Sequence, residues 1–249
     1  MTKRLRIFAG PNGSGKSTII EIVRNQGINL GVYVNADEIK LTLDNKGLID
    51  FAHYNLEIDS VDFFHELQLT TIINGDQREL IKHQVEIRDN YLIIGLPAYN
   101  DIFSTFLADY IRLKLIKSCD KFSFETVMSH ESKLKFIEQA KQCGYKVYLY
   151  FVSLEDPIMN IQRVEARVLQ GGHGVDPEKI SNRYLRTMNF LLKAIKLVDK
   201  AFLFDNSTDR PLLFATYKED EITITEIEKI PVWFFTYVLN KITPNEYEF

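Results

Sequence analysis

Residues 10–18 read Gly-Pro-Asn-Gly-Ser-Gly-Lys-Ser-Thr and contain the full phosphate-loop pattern G-x-x-x-x-G-K-[ST]. An apolar, strand-like run at 5–9 precedes the pattern, and a helix-like run follows it. We expect the loop amides to turn toward a phosphate, Lys16 to reach the outer phosphates, and the Ser17 hydroxyl to ligate Mg²⁺. The residues predicted to bind ATP are Gly10, Pro11, Asn12, Gly13, Ser14, Gly15, Lys16, Ser17 and Thr18.

A carboxylate, Asp37, follows the second strand-like run at 32–34. Open parallel sheets bind ligands at this edge, where a carboxylate can ligate Mg²⁺ or accept the proton of a hydroxyl that attacks the γ-phosphate. The same residues also fit a helix start, with Asn35 as N-cap, Glu38 three residues later and Asp37 favouring the helix dipole. Both interpretations stay open.

A second polar pair, Glu125 and Thr126, ends the strand-like run at 121–127. A carboxylate and a hydroxyl at the end of a buried strand are typical of residues that hold a metal or a substrate. They are equally typical of a strand terminus that caps the next helix. The local sequence does not choose between the two.

Arginines cluster in the third quarter of the chain. Arg163 and Arg167 lie one helical turn apart and share a face. Gly171-Gly172 then permits a hinge, and Arg183 begins one face of the next helix. The pattern predicts a lid that closes over phosphates, where guanidinium groups spread over the charge of the transferred phosphoryl. In the alternative, the arginines lie on the surface and pair with Glu165 or Glu178.

The alternation of strands and helices predicts an α/β fold with a parallel sheet covered by helices on both faces. We expect a single domain over 1–249. Residues 45–100 break the rhythm and predict an α+β insertion, with a turn at Asn74-Gly75-Asp76, a helix near 60–70 and a hairpin around 84–95. A C-terminal β-hairpin is expected within 208–249.

Composition excludes several classes of protein. The formal charge of −4 argues against a general nucleic-acid coat protein, which should be basic. No apolar run approaches the roughly 18 residues of a membrane helix, and no signal-peptide profile is apparent. Cys119 and Cys143 make no metal or redox spacing, which is typical of the reducing cytosol. His173 has no second ligand at suitable spacing and is expected to contact the lid loop instead.

The phosphate loop also suits ABC-type ATPases, and Leu169-Gln-Gly-Gly-His173 partly matches their LSGGQ signature. In those proteins the signature precedes the Walker B strand. Here it would follow the one candidate strand, 147–152. The order therefore argues against an ABC ATPase.

Taken together, these motifs resemble the zeta toxin family of P-loop kinases, in its chromosomal branch, whose members are often labelled predicted ABC-type ATPases. The resemblance covers about 1–43 and 101–207. It rests on ordered motifs: GPNGSGKST at 10–18, VNADEI at 34–39, FSFETVMSH at 122–130, RVEARVLQGGHGV…ISNRY from 163 to 184, and FDNS at 204–207.

The resemblance implies a nucleoside-kinase-like fold. Members studied as toxins phosphorylate the sugar 3′-hydroxyl of UDP-N-acetylglucosamine and are held inactive by a small helical antitoxin. It implies that Lys16 and Ser17 serve ATP and Mg²⁺ and that Asp37 is the base. The remaining implied residues are Glu125 and Thr126 for the acceptor and Arg167 and Arg183 for the lid. We also expect Arg163 to bind the acceptor. The insertion 45–100 has no counterpart in the toxins.

The sequence therefore predicts a cytoplasmic, ATP- and Mg²⁺-dependent kinase. Its acceptor would be a hydroxyl on a small anionic molecule such as a UDP-N-acetyl sugar, and an antitoxin would be a candidate partner. One alternative is a nucleotide switch or ATPase module without a small-molecule acceptor. A kinase for nucleic-acid ends is a second alternative, which the acidic charge disfavours.

Overall fold

The computed structural model describes residues 2–95, 100–172, 174–226 and 230–242. The strands are β1 Lys3–Ala9, β2 Val32–Val34, β3 Leu48–Asp50, β4 Val85–Arg88, β5 Tyr91–Ile94, β6 Lys121–Thr126, β7 Tyr145–Ser153, β8 Lys200–Asp205, β9 Leu212–Lys218 and β10 Glu221–Ile224. The helices are α1 Lys16–Asn25, α2 Ala36–Lys46, α3 Ser60–Leu69, α4 Gly75–Gln84, α5 Asn100–Ser118, α6 Ser132–Gln142, α7 Pro157–Leu169, α8 Pro177–Leu197 and α9 Val232–Tyr237. Single 3₁₀ turns cover Phe51–Tyr54 and Leu239–Lys241.

The chain divides into two compact units. The first comprises Met1–Leu30 and Glu125–Phe249, and the second comprises Gly31–Phe124. The first unit contains the phosphate-loop residues and the arginines of the predicted lid, whereas Asp37 belongs to the second.

The first unit is built on a mostly parallel sheet. Its strands lie in the order β10-β9-β8-β7-β1, and the end of β6 follows β1. β7 is parallel to both β1 and β8, whereas β9 and β10 are antiparallel. Residues 149–153 of β7 are buried one after another, which is the burial pattern of a strand covered on both faces. The predicted α/β class is thereby confirmed.

Aromatic side chains fill much of this core. Phe8, Tyr150 and Phe202 stack across three neighbouring parallel strands, with ring centroids 4.9 and 4.8 Å apart. Trp233 of α9 packs edge-on against Phe214 of β9, with 5.4 Å between ring centroids. Offset and edge-on aromatic pairs contribute beyond the area that they bury, so they favour this strand register.

The second unit combines a parallel strand pair with a small sheet. β2 pairs in parallel with β6, and β3, β5 and β4 form an antiparallel sheet in that order. Its core includes Phe63 and Tyr110, whose ring centroids lie 5.3 Å apart. The Tyr110 hydroxyl donates to Asp62 at 2.8 Å. Burial, followed by this hydrogen bond, raises the pKa of Tyr110.

Several local predictions are confirmed and one is wrong. The helix near 60–70 is α3, and the hairpin around 84–95 is β4-β5, to which β3 adds a third strand. The predicted turn at Asn74-Gly75-Asp76 is instead the start of α4, because the Asn74 side chain accepts a hydrogen bond from Gln77 N and caps the helix. Within 208–249, β9 and β10 form a hairpin, and α9 follows it.

Candidate nucleotide-binding site

The phosphate loop joins β1 to α1 and is closely packed. Its first amide, Gly10 N, donates to Thr126 O at 3.3 Å. Gly15, the N-cap of α1, has a left-handed conformation with φ 96°. A Cβ at Gly15 would lie 2.2 Å from Asn206 Nδ2, so both the backbone conformation and the space require glycine.

The N-terminus of α1 carries no side-chain cap. Gly15 offers no cap hydrogen bond, and the first turn of α1 holds no acidic residue. The first amides of any helix lack intrahelical acceptors, and the helix dipole adds positive potential there. This end of α1 therefore suits an anion such as a phosphate group, which is the chemistry that the loop sequence predicts.

Lys16 lies over the carbonyl groups of the loop. Its Nζ donates to Gly10 O at 3.0 Å and to Pro11 O at 2.9 Å, and the side chain is 7% exposed. Glu125 Oε1 lies 3.8 Å from the same Nζ. The structure thus brings together two residues predicted from separate motifs, a cation and a carboxylate at the start of the phosphate loop.

The predicted metal ligand, Ser17, occupies the first turn of α1 and is exposed. Its hydroxyl is a hard oxygen donor of the kind that Mg²⁺ prefers. Across the described ranges, no cluster of three His, Cys, Asp or Glu residues could hold a metal by itself. A magnesium ion here would therefore combine Ser17 with phosphate oxygens of the nucleotide and with water.

Helix α7 packs against the phosphate loop. Asn160 Nδ2 donates to Asn12 O at 2.6 Å. The Cβ position of Gly13 lies 2.7 Å from Asn160 O and 3.2 Å from Val164 Cγ2. Arg167 follows Asn160 at i+7, two turns along the same side of α7.

The candidate lid arginines differ in their surroundings. Arg163 is half-buried and its Nη2 donates to Asn206 O at 2.7 Å, whereas Arg167 is exposed. Arg167 O accepts from Gly172 N at 2.9 Å, which closes the C-terminal end of α7. The expected lid-loop residue His173 lies outside the described residues.

Arg183 lies on α8, half-buried, beside an anchor to the main sheet. The neighbouring Tyr184 hydroxyl donates to Leu154 O at 3.0 Å and to Glu155 O at 3.3 Å. These bonds attach α8 to the carboxyl end of β7. Both arginine-bearing helices therefore lie at the carboxyl end of β7 in the first unit.

The acids that follow β7 serve local structure. Asp156 Oδ1 accepts from Ile158 N at 2.7 Å and caps α7. Glu155 Oε1 accepts from Val232 N at 2.9 Å at the start of α9. Burial raises the pKa of Glu155. These contacts give both acids a structural role in place of that of a Walker B carboxylate.

Two other candidate residues show the capping contacts that the sequence left open. In the second unit, Asn35 Oδ1 accepts from Asp37 N at 2.9 Å, so Asn35 caps α2, and the Asp37 side chain is exposed in its first turn. In the first unit, Thr126 Oγ1 accepts from Met128 N at 3.0 Å. The roles of Asp37 and Thr126 toward an acceptor remain predictions.

Sequence reasoning missed two residues that contact the loop. Asn160 was not singled out in any motif. Asn206 lies in FDNS at 204–207, a segment for which no role was predicted. Asn206 Nδ2 donates to Ser14 O at 2.9 Å. Both asparagines are buried, at 0% and 6% exposure. A buried asparagine at a strand end or inside a helix gives no signal until the fold brings it to the loop.

Comparison with known proteins gives little at the level of sequence. No family model matches the chain. An uncharacterized protein of Haemophilus influenzae is 30% identical over 69 residues, which is 28% of this chain and 49% of that protein. The chain thus matches about half the length of this curated relative. None of the helices in the described ranges is long and apolar enough to cross a membrane.

Solved structures give a clearer result. The AvrRxo1-ORF1:AvrRxo1-ORF2 complex with sulphate ions is similar at a TM-score of 0.58 and 15% identity, over 98% of this chain and 66% of that chain. The same complex with ATP is similar at a TM-score of 0.55 and 14% identity, over 98% of this chain and 65% of that chain. The PezAT chromosomal toxin–antitoxin system of Streptococcus pneumoniae is similar at a TM-score of 0.50 and 13% identity, over 99% of this chain and 82% of that chain. The chain therefore spans slightly less than two thirds of the two AvrRxo1 chains. The likeness shows that the chain shares the α/β fold of these structures, one of which belongs to a toxin–antitoxin system.

Proposed function

We propose that this protein is an ATP-dependent kinase that transfers the γ-phosphoryl group to a hydroxyl of a small anionic acceptor, with a UDP-N-acetyl sugar as the first candidate. One observation carries the proposal: α1 begins without a side-chain cap, and its first residue, Lys16, donates to carbonyl groups of the phosphate loop. A bound triphosphate would supply the negative charge that this end of α1 lacks.

Each residue has a distinct part in the proposed reaction. Lys16 exchanges its bonds to loop carbonyls for the outer phosphate oxygens, and Arg167 and Arg183 spread over the charge that develops on the transferred group. Ser17 would hold Mg²⁺, which would supply positive charge beside the phosphates. Asp37 orients the acceptor hydroxyl and takes its proton as the oxygen attacks phosphorus. Glu125 and Thr126 contact the acceptor.

Structural neighbours support this proposal without identifying the acceptor. One was solved with ATP, and another belongs to a toxin–antitoxin system. We therefore extend the proposal to a protein partner that restrains the enzyme in the cytosol, as an antitoxin does.

The test is incubation of the protein with γ-labelled ATP, Mg²⁺ and a small-molecule extract, followed by identification of the labelled product. We expect label on one metabolite, in an amount that depends on Lys16. Release of inorganic phosphate alone, unaffected by any metabolite, would favour the nucleotide-switch alternative. Label on oligonucleotide ends would favour a nucleic-acid kinase.

A further inference from the structure

The phosphate loop is held from its carbonyl side by two amide side chains. Asn160 Nδ2 donates to Asn12 O at 2.6 Å, and Asn206 Nδ2 donates to Ser14 O at 2.9 Å. Both asparagines are buried, so neither contact is a solvent-exposed surface pair of small energetic value. Asparagine suits this task because its NH₂ group donates without bringing a charge close to the site.

These two contacts determine which way the next amides point. The described chain has no cis peptide bond, and in a trans peptide the C=O and the following N–H point in opposite directions. Holding the carbonyl of Asn12 toward Asn160 therefore turns the N–H of Gly13 away from it. In the same way, holding the carbonyl of Ser14 toward Asn206 turns the N–H of Gly15 away. Two alternate amides of the loop are thus aimed by side chains outside it.

Asn206 is itself fixed by its own backbone. Its N–H donates to Ser153 O at 2.9 Å, and its C=O accepts from Arg163 Nη2 at 2.7 Å. One residue therefore links the end of β7, the helix α7 and the phosphate loop. A guanidinium donor makes a charge-assisted bond, which is stronger than a neutral one and well suited to holding this carbonyl.

We propose that Asn160 and Asn206 are positioning residues that fix the amides of Gly13 and Gly15 in their phosphate-binding orientation, and that Arg163 acts through Asn206. This inference rests on the proposed function for the identity of the ligand, a nucleotide phosphate chain. It assigns Arg163 to the loop, in place of the acceptor-binding role that was expected from the sequence.

The test measures ADP dissociation constants by calorimetry well below the melting temperature. The variants are Asn206→Ala, Asn206→Asp and Asn160→Asp, and Asn25→Asp at the exposed end of α1 is the control. Loss of the donor should weaken ADP binding about 10- to 100-fold, and the aspartates should weaken it more because their carboxylates repel the loop carbonyls. The control should bind ADP as the wild type does.

Melting temperatures separate positioning from stability. If Asn206→Ala and Asn160→Asp melt earlier but bind ADP with wild-type affinity, the two asparagines support the fold only and the inference is wrong. If the wild type binds neither ADP nor ATP, the proposed function fails instead. Tight ADP binding that these variants lose, without phosphoryl transfer to any acceptor, would overturn the kinase proposal and leave the positioning role intact.

Arg163→Gln tests the third residue. Because Arg163 acts through Asn206, its replacement should raise the ADP dissociation constant about fivefold. The KM for ATP should rise as well. A fall in kcat with unchanged ADP affinity would mean that Arg163 contacts the transferred group, and would overturn this part of the inference.

Discussion

The N-termini of α1 and α2 follow parallel strands of the two units, yet they are built in opposite ways. α1 begins at Gly15 with no side-chain cap and no acidic residue in its first turn. α2 begins at Asn35, whose side chain accepts from Asp37 N, and its first turn carries Asp37 and Glu38. The second helix supplies its own negative charge, and the first does not.

The two helix starts differ in the source of the negative charge that would compensate the positive end of the helix dipole. Capping side chains from Asn and Asp residues also begin α3, α4, α7 and α8, whereas α1, α6 and α9 begin without a side-chain cap. A helix N-terminus without a cap costs stability unless another anion occupies it. The start of α1 is set apart because it follows the phosphate-loop pattern, where a bound phosphate would supply the missing negative charge, whereas the start of α2 offers an exposed carboxylate for other chemistry.

The largest expected effect follows from Lys16→Ala. Removing the side-chain cation that donates to the carbonyl groups of Gly10 and Pro11 should lower phosphoryl transfer about 10³-fold and weaken ATP binding. Turnover and the ATP dissociation constant are the measurements, with Lys193→Ala on the exposed surface of α8 as the control. Unchanged turnover in Lys16→Ala would remove the loop from the mechanism.

Asp37→Asn tests the other helix start. A general base of this kind contributes about 10²- to 10⁴-fold to rate, so turnover should fall by that factor while ATP affinity stays near normal. Glu38→Gln is the matched control, because it removes the same charge from the same turn. Equal losses in the two variants would show that only the charge of the turn matters, and near-normal turnover in Asp37→Asn would refute the assignment of the base.

Thr18→Glu should make α1 more like α2. Thr18 is exposed in the first turn, where a carboxylate should stabilise the ligand-free protein by about 0.3–1 kcal/mol. The same carboxylate should repel the phosphates and weaken ATP binding about tenfold. Thermal unfolding and ATP titration measure the two effects. If Thr18→Glu raised both the stability of the ligand-free protein and its affinity for ATP, or lowered both, the explanation of the bare helix start would be wrong.

The smallest effect is expected from Asn35→Ala. Loss of the cap hydrogen bond to Asp37 N should lower the free energy of unfolding by about 1 kcal/mol and leave ATP affinity unchanged. Denaturant unfolding measures the change, and Asn25→Ala serves as the control. A loss of ATP affinity in Asn35→Ala would show that the two helix starts are not independent.

The sequence predicted most of what is local in this fold. β2 was expected at 32–34 and occupies those residues, because β-branched and aromatic residues such as Val-Tyr-Val favour a strand. The start of α4 was missed because Asn74-Gly75-Asp76 has the chemistry of both a turn and a helix cap. β3 was missed because three residues give no periodicity, and its pairing with β5 joins residues more than forty positions apart.

In the candidate site, too, the local features could be predicted and the long-range contacts could not. Residues 10–18 form one contiguous pattern, so the loop and Lys16 could be predicted from spacing alone. Asn206 approaches Ser14 across 192 positions of sequence, and no local pattern encodes such a contact. The closeness of Glu125 to Lys16 was likewise beyond prediction, since it depends on how β6 ends beside the loop.

The most direct test follows the backbone amides of the two helix starts by NMR during titration with ADP and Mg²⁺. We expect the amide signals of Gly13, Gly15 and Lys16 to shift strongly, because these N–H groups would donate to phosphate oxygens in place of solvent, and we expect Lys16→Ala to weaken the response. Unmoved Gly13 and Gly15 amides at saturating ADP would contradict the claim that the bare start of α1 is a phosphate site.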